Sequence, residues 1–163
     1  MLQLTKRTEY GLIALVHMAD HEGEVVSVRE ISERYPVPRR LLAEVLKDLC
    51  RASLVESQRG AAGGYSLARS PDAISLGEIV ASLEGRPRLA SCEDLAPASH
   101  GECGIEPVCP IRSPLHRIRE GIWHLMERTT LRSLARPRVD VSVPTALALA
   151  SGGARTAPET LHT

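Results

Sequence analysis

The chain has 163 residues, 43% hydrophobic and 25% charged, with three Tyr, one Trp and no Phe. That length suits one domain with a real core plus an appendage, the charge and apolar content exclude a disordered chain, and the core must rest on Leu, Val, Ile and Ala. Twenty Lys and Arg balance twenty Asp and Glu, so nucleic-acid binding gets no support from global charge and must be sought in its distribution. Residues 92 to 109 carry four acidic and no basic residues, whereas residues 110 to 138 carry seven basic and two acidic ones. The opening MLQLTKRTEYGLIALVHMAD has charges at 6, 7 and 9 and an apolar run broken by His17, which fits neither a signal peptide nor a membrane span. The chain is expected in the cytoplasm.

From Lys6 to Asp20 almost every residue after Tyr10 is apolar, the pattern of a core helix, with Tyr10 and His17 expected to pack inside. Ser27 and Glu30 form an S-x-x-E capping box, and Ile31 and Tyr35 give a short second helix its apolar face before Pro36 ends it. After Tyr35-Pro36-Val37-Pro38, residues Leu41, Leu42, Val45, Leu46, Leu49 and Cys50 form two adjacent helical rows, with Pro38 in the first turn. Two short helices joined by a tight turn, the second bearing exposed Arg39, Arg40 and Glu44 near its start, match a helix-turn-helix. Cys50 reads as a small core residue.

Leu54–Ser57 and Tyr65–Ala68 can pair as strands across Gln58-Arg59-Gly60-Ala61-Ala62-Gly63-Gly64, a Gly-rich hairpin that makes a wing. Arg59 starts its tip, placed to enter a minor groove, and Lys6 and Arg7 are candidate phosphate contacts. Ser75 and Glu78 repeat the capping box for a helix through Ile79, Val80 and Leu83, stopped at Gly85 with Pro87 beyond. Ser113-Pro114 reads as an N-cap and first-turn Pro for a last helix, where Leu115, Ile118, Ile122, Leu125 and Thr129 step by 3, 4, 3, 4. Such a seam predicts pairing with a second copy and a homodimer suited to a pseudo-palindromic operator in double-stranded DNA.

The expected organisation is a winged helix-turn-helix over 1–84, a cysteine-rich loop over 85–112, a dimerisation helix over 113–134 and a disordered tail over 135–163. The fold class is mainly α with a small β-hairpin wing. Cys92, Cys103 and Cys109 stand in the loop. Thiolates are the soft ligands that iron-sulfur clusters, zinc and Cu(I) select, and an odd number in a reducing compartment favours ligation over disulfides. Zinc would need a fourth ligand such as His100 or His116, and the wide spacing lacks the tight C-x2-4-C pair of structural zinc sites. No C-x-x-C, G-x-G-x-x-G, G-x-S-x-G or H-E-x-x-H is present, so an enzyme is not expected.

The segments LTKRTEYGLIALVHMA, RGAAGGYSLAR, SLGEIVASLEG and CPIRSPLHRIREGIWHLMERTTLRSL, with the three-cysteine loop, resemble the winged-helix regulators that sense iron-sulfur clusters, the IscR and NsrR type, over about residues 2 to 135. The resemblance implies a homodimeric regulator, commonly a repressor, whose loop cysteines hold a 2Fe-2S or 4Fe-4S cluster, 2Fe-2S being favoured, that reports iron, redox or nitric-oxide status. Two departures stand out. The first cysteine gap is C-x10-C, and Arg112 occupies the place of the ligand histidine of IscR-like members. NsrR-like members instead use a carboxylate near the N-terminus, and Glu9 matches it, which implies Glu9 of the other subunit as fourth ligand. The second reading is a DNA-binding regulator whose cysteines act as a thiol or zinc switch.

Overall fold

The computed structural model describes residues 3–60, 63–89 and 108–135. Its elements are α1 (Lys6–Asp20), α2 (Val28–Arg34), α3 (Arg39–Arg51), β1 (Val55–Gln58), β2 (Gly64–Leu67), a 3-10 turn (Pro71–Ala73), α4 (Leu76–Leu83), α5 (Arg112–Arg128) and α6 (Leu131–Ala135). The core is aliphatic, as the composition requires: Leu15, Ile31, Leu42, Val45, Leu46, Leu49, Ile74, Ile79 and Leu131 are fully enclosed. Gly11 lets α3 and α4 close on α1, because a Cβ there would lie 2.8 Å from Leu83 Cδ1 and 3.1 Å from Val45 Cγ1.

Helix α3 ends in a Schellman motif. The Ser53 N–H donates to Cys50 O and the Leu54 N–H to Leu49 O, both at 3.0 Å, with Ser53 at φ 57 in the left-handed region. That reversal throws the chain straight into β1. The hairpin pairs Val55 with Leu67, Glu56 with Ser66, Ser57 with Tyr65 and Gln58 with Gly64. A connection absent from the sequence reading ties it down: Val26, ahead of α2, exchanges two 2.8 Å backbone hydrogen bonds with Tyr65. Gly64 is required for this approach, since a Cβ would lie 2.5 Å from Val26 O.

The two S-x-x-E motifs behave differently. Around α4 the box closes both ways, Glu78 N–H donating to Ser75 Oγ and Ser75 N–H to the Glu78 carboxylate. Around α2 only Ser27 caps, accepting from Glu30 N–H, while the Glu30 carboxylate turns to His17 of α1.

Two corrections concern the C-terminal half. The last long helix begins at Arg112, with Ile111 rather than Ser113 at the N-cap, so Ser113 and Pro114 lie inside the first turn, where Pro is tolerated because those N–H groups have no helical partner. It also does not run to 134. Thr129 takes an extended conformation, its carbonyl accepts from Leu76 N–H at 2.7 Å, and Leu131 N–H donates to Ile74 O at 2.8 Å. The chain is thereby drawn back and α6 docks on the winged domain through Leu131. Arg132 fixes the return with ion pairs to Glu22 and to Asp72, the latter at 3.3 Å. The tail beyond 135 lies outside the described residues.

Candidate nucleic-acid interface and sensor residues

Opposite its buried row, α3 presents Arg40, Glu44, Lys47 and Arg51 at helical spacing on one exposed stripe. Arg40 is 95% exposed and only 3.5 Å from Glu44. Arg39 is more committed: its guanidinium donates to Ser32 Oγ at 3.0 Å and to Glu33 at 2.9 Å, which links α3 to α2. Lys47 and Arg51 were missed in the sequence reading, although their i+7 and i+11 spacing from Arg40 would have found them. Arg51 pairs with Asp48 at 2.6 Å.

Arg59 is exposed at the end of β1, beside Gly60 at φ +120, a conformation open to glycine and strained for other residues. Arg7 and Lys6 are likewise engaged in ion pairs. Arg7 forms an ion pair with Asp48 that staples α1 to α3, and Lys6 is 2.5 Å from Glu9. The hydrogen bond and charge of Glu9 raise the pKa of Lys6, so it stays protonated.

Of the expected sensor residues, Cys92 and Cys103 lie outside the described residues. Cys109 stands three residues before α5, half-buried and not in a disulfide. Glu9 sits in the first turn of α1, with its carboxylate on Lys6. Three thiolates and one carboxylate form a donor set suited to iron, the carboxylate being the harder and more weakly held ligand. Cys50 is a different kind of thiol: half-buried against the core, it has its pKa raised by burial, which disfavours the thiolate.

Helix α5 divides its expected seam. Trp123 is buried, with Arg86 stacked 4.6 Å from its ring centroid, and Gly77 of α4 abuts Glu127 closely. Leu115, Ile122 and Thr129 are half-covered. Ile111, Ile118 and Leu125, seven residues apart, are 58%, 53% and 68% exposed and form an apolar stripe along the outer face.

A helix-turn-helix with a charged outer stripe, flanked by a glycine-tipped hairpin bearing an arginine, defines a winged-helix DNA-binding protein. The family model Rrf2, described as an iron-dependent transcriptional regulator, matches residues 4–137. The chain belongs to the Rrf2 family; it is a DNA-binding transcriptional regulator and not an enzyme. It is 30% identical over 141 residues to the HTH-type transcriptional regulator NsrR of Bacillus subtilis (strain 168), covering 86% of this chain and 94% of that one. Among solved structures it is similar to CymR (YrzC), the global cysteine regulator of B. subtilis, with 31% identity and a TM-score of 0.67 over 85% of this chain and 99% of that one. It is also similar to T. potens IscR, with 29% identity and a TM-score of 0.62 over 84% and 89% of the two chains. No helix among the described residues is long and apolar enough to cross a membrane.

Proposed function

We propose that this regulator is a repressor that binds a pseudo-palindromic operator as a homodimer and senses iron, redox or nitric-oxide status through an iron-sulfur cluster held by Cys92, Cys103 and Cys109, with Glu9 of the other subunit as fourth ligand. The observation that carries the reading is the Cys109 thiol, which lies between a winged domain and a helix whose outer face carries an exposed apolar heptad stripe. The 2Fe-2S form is favoured. When bound, the cluster supplies a centre whose redox state and integrity respond to oxidants and nitric oxide.

The chain's own residues perform the rest. Arg40, Glu44 and Arg39 of α3 and Arg59 of the wing face the duplex, with Lys6 and Arg7 toward phosphates once their acidic partners are exchanged for DNA. Ile111, Ile118 and Leu125 bury one another across the two-fold axis, so α5 sets the distance between the two recognition helices. Any ligand that reorients the loop before α5 thereby changes half-site spacing. Glu9 is the exchangeable position, because Lys6 offers its carboxylate an alternative partner 2.5 Å away.

The test is the visible spectrum, with iron and sulfide content, of anaerobically purified protein beside a variant with all three loop cysteines changed to Ser. A brown protein bleached by the substitutions is expected; two colourless samples would overturn the cluster. The likeness to CymR, a cysteine regulator, favours a second reading in which the same cysteines form a thiol or zinc switch and the protein is colourless.

A further inference from the structure

We propose that His17, His21 and Glu30 form a binding site for one divalent transition-metal ion of the zinc type, separate from the loop cysteines. His17 and His21 are one helical turn apart at the end of α1, on the same face, and Glu30 reaches them from the first turn of α2. One ligand atom from each lies within 4.8 Å of the others. The His17 Nε2 to Glu30 Oε1 separation of 3.4 Å equals the about 3.4 Å between two ligand atoms on a tetrahedral zinc with bonds of about 2.0–2.1 Å.

Three features show that these groups are arranged for more than packing. His21 Nδ1 is 2.8 Å from His17 O. A carbonyl oxygen only accepts, so Nδ1 carries the proton and Nε2 presents its lone pair, the same backbone anchoring that fixes the tautomer of metal-bound histidines. His17 is buried, and its ring is held edge-on by Tyr35 at 5.6 Å and tilted against His21 at 4.4 Å. Glu30 occupies the position where Glu78 closes the capping box of α4, yet its carboxylate is spent on His17 instead of the Ser27 N–H.

Two neutral imidazoles and a carboxylate suit zinc, and three protein ligands leave a coordination position for water on the exposed Glu30 side. The metal would sit between His17 Nε2 and Glu30 Oε1, which stand 3.4 Å apart. It would bridge the last turn of α1 and the first helix of the helix-turn-helix across the turn containing Gly23, which has φ +87.

The experiment uses the full chain with Cys92, Cys103 and Cys109 changed to Ser, so that thiolates do not compete, titrated calorimetrically with zinc and optically with Co2+. One equivalent of zinc should bind, and Co2+ should give visible d–d bands without thiolate charge transfer. On that background His21→Gln and Glu30→Gln, both at partly exposed positions that spare the buried His17, should each weaken zinc at least ten-fold while the metal-free melting temperature holds. Absence of zinc binding, or equal binding by either variant and its parent, would overturn the three-ligand site.

Discussion

Arg40 and Glu78 are two charged residues in opposite situations, one open at the surface and one tied into the fold. Among the described residues Arg40 is held by a 3.5 Å pair with Glu44 at high exposure, an interaction of little energetic weight, so an approaching base or phosphate faces little competition from it. Arg40→Ala and Arg59→Ala should each weaken operator binding by about 1–3 kcal/mol, roughly 5- to 150-fold, with unchanged thermal unfolding. Loss of stability in place of affinity would return them to the scaffold. Glu78 works for the fold alone. The Ser75 N–H, and then Arg69 at 3.0 Å, hold its carboxyl below the ordinary carboxylate value despite some burial. Because the folded pKa lies below the unfolded one, its stabilisation is present above the unfolded value and is lost as pH falls through the folded one. The urea midpoint of Glu78→Gln should therefore lie below that of the parent at pH 7 and converge with it in acid; a gap that persists unchanged would refute the assignment.

Elements follow the same division. Ser53 takes a left-handed conformation that costs a non-glycine residue about 1 kcal/mol, so Ser53→Gly should hold or raise the melting temperature, whereas Ser53→Val should lower it by several degrees. Ile118→Glu with Leu125→Glu should leave the fold intact, since both side chains are largely exposed, yet give a monomer in sedimentation; a dimer would place the interface elsewhere. Helix α3 was legible because its apolar rows and charged stripe are set by local periodicity. The wing was legible through its glycines, but not its attachment to Val26, which depends on backbone groups distant in sequence. Helix α6 was missed because what stops α5 at Thr129 is hydrogen bonding to Ile74 and Leu76, a tertiary contact that seam spacing ignores. The S-x-x-E motif at Ser27 predicted a reciprocal cap, and only the structure reveals the histidine that diverts Glu30. Cys109 is half-buried ahead of α5, a placement that residue type and loop position do not assign to a role, and Cys92 and Cys103 lie outside the described residues.

At the scale of the whole molecule, the return of α6 and the packing of α4 on α5 join α5 to the winged domain. Gly77 packs against Glu127, Arg86 stacks on Trp123 and the Thr5 N–H donates to Glu84 at 2.7 Å, so α5, α4 and the start of α1 are joined by a continuous set of contacts. A ligand held before α5 would act on DNA through a difference in affinity between two arrangements of these elements, and allosteric couplings typically amount to about 1–3 kcal/mol. The most direct test selects an operator from a random duplex pool with the anaerobic protein, then compares its dissociation constant before and after cluster removal at fixed salt. A change of roughly 5- to 150-fold, abolished when the three loop cysteines are Ser, is the expected result; identical affinity in both states would contradict a sensor and leave a regulator whose cysteines do not control DNA binding.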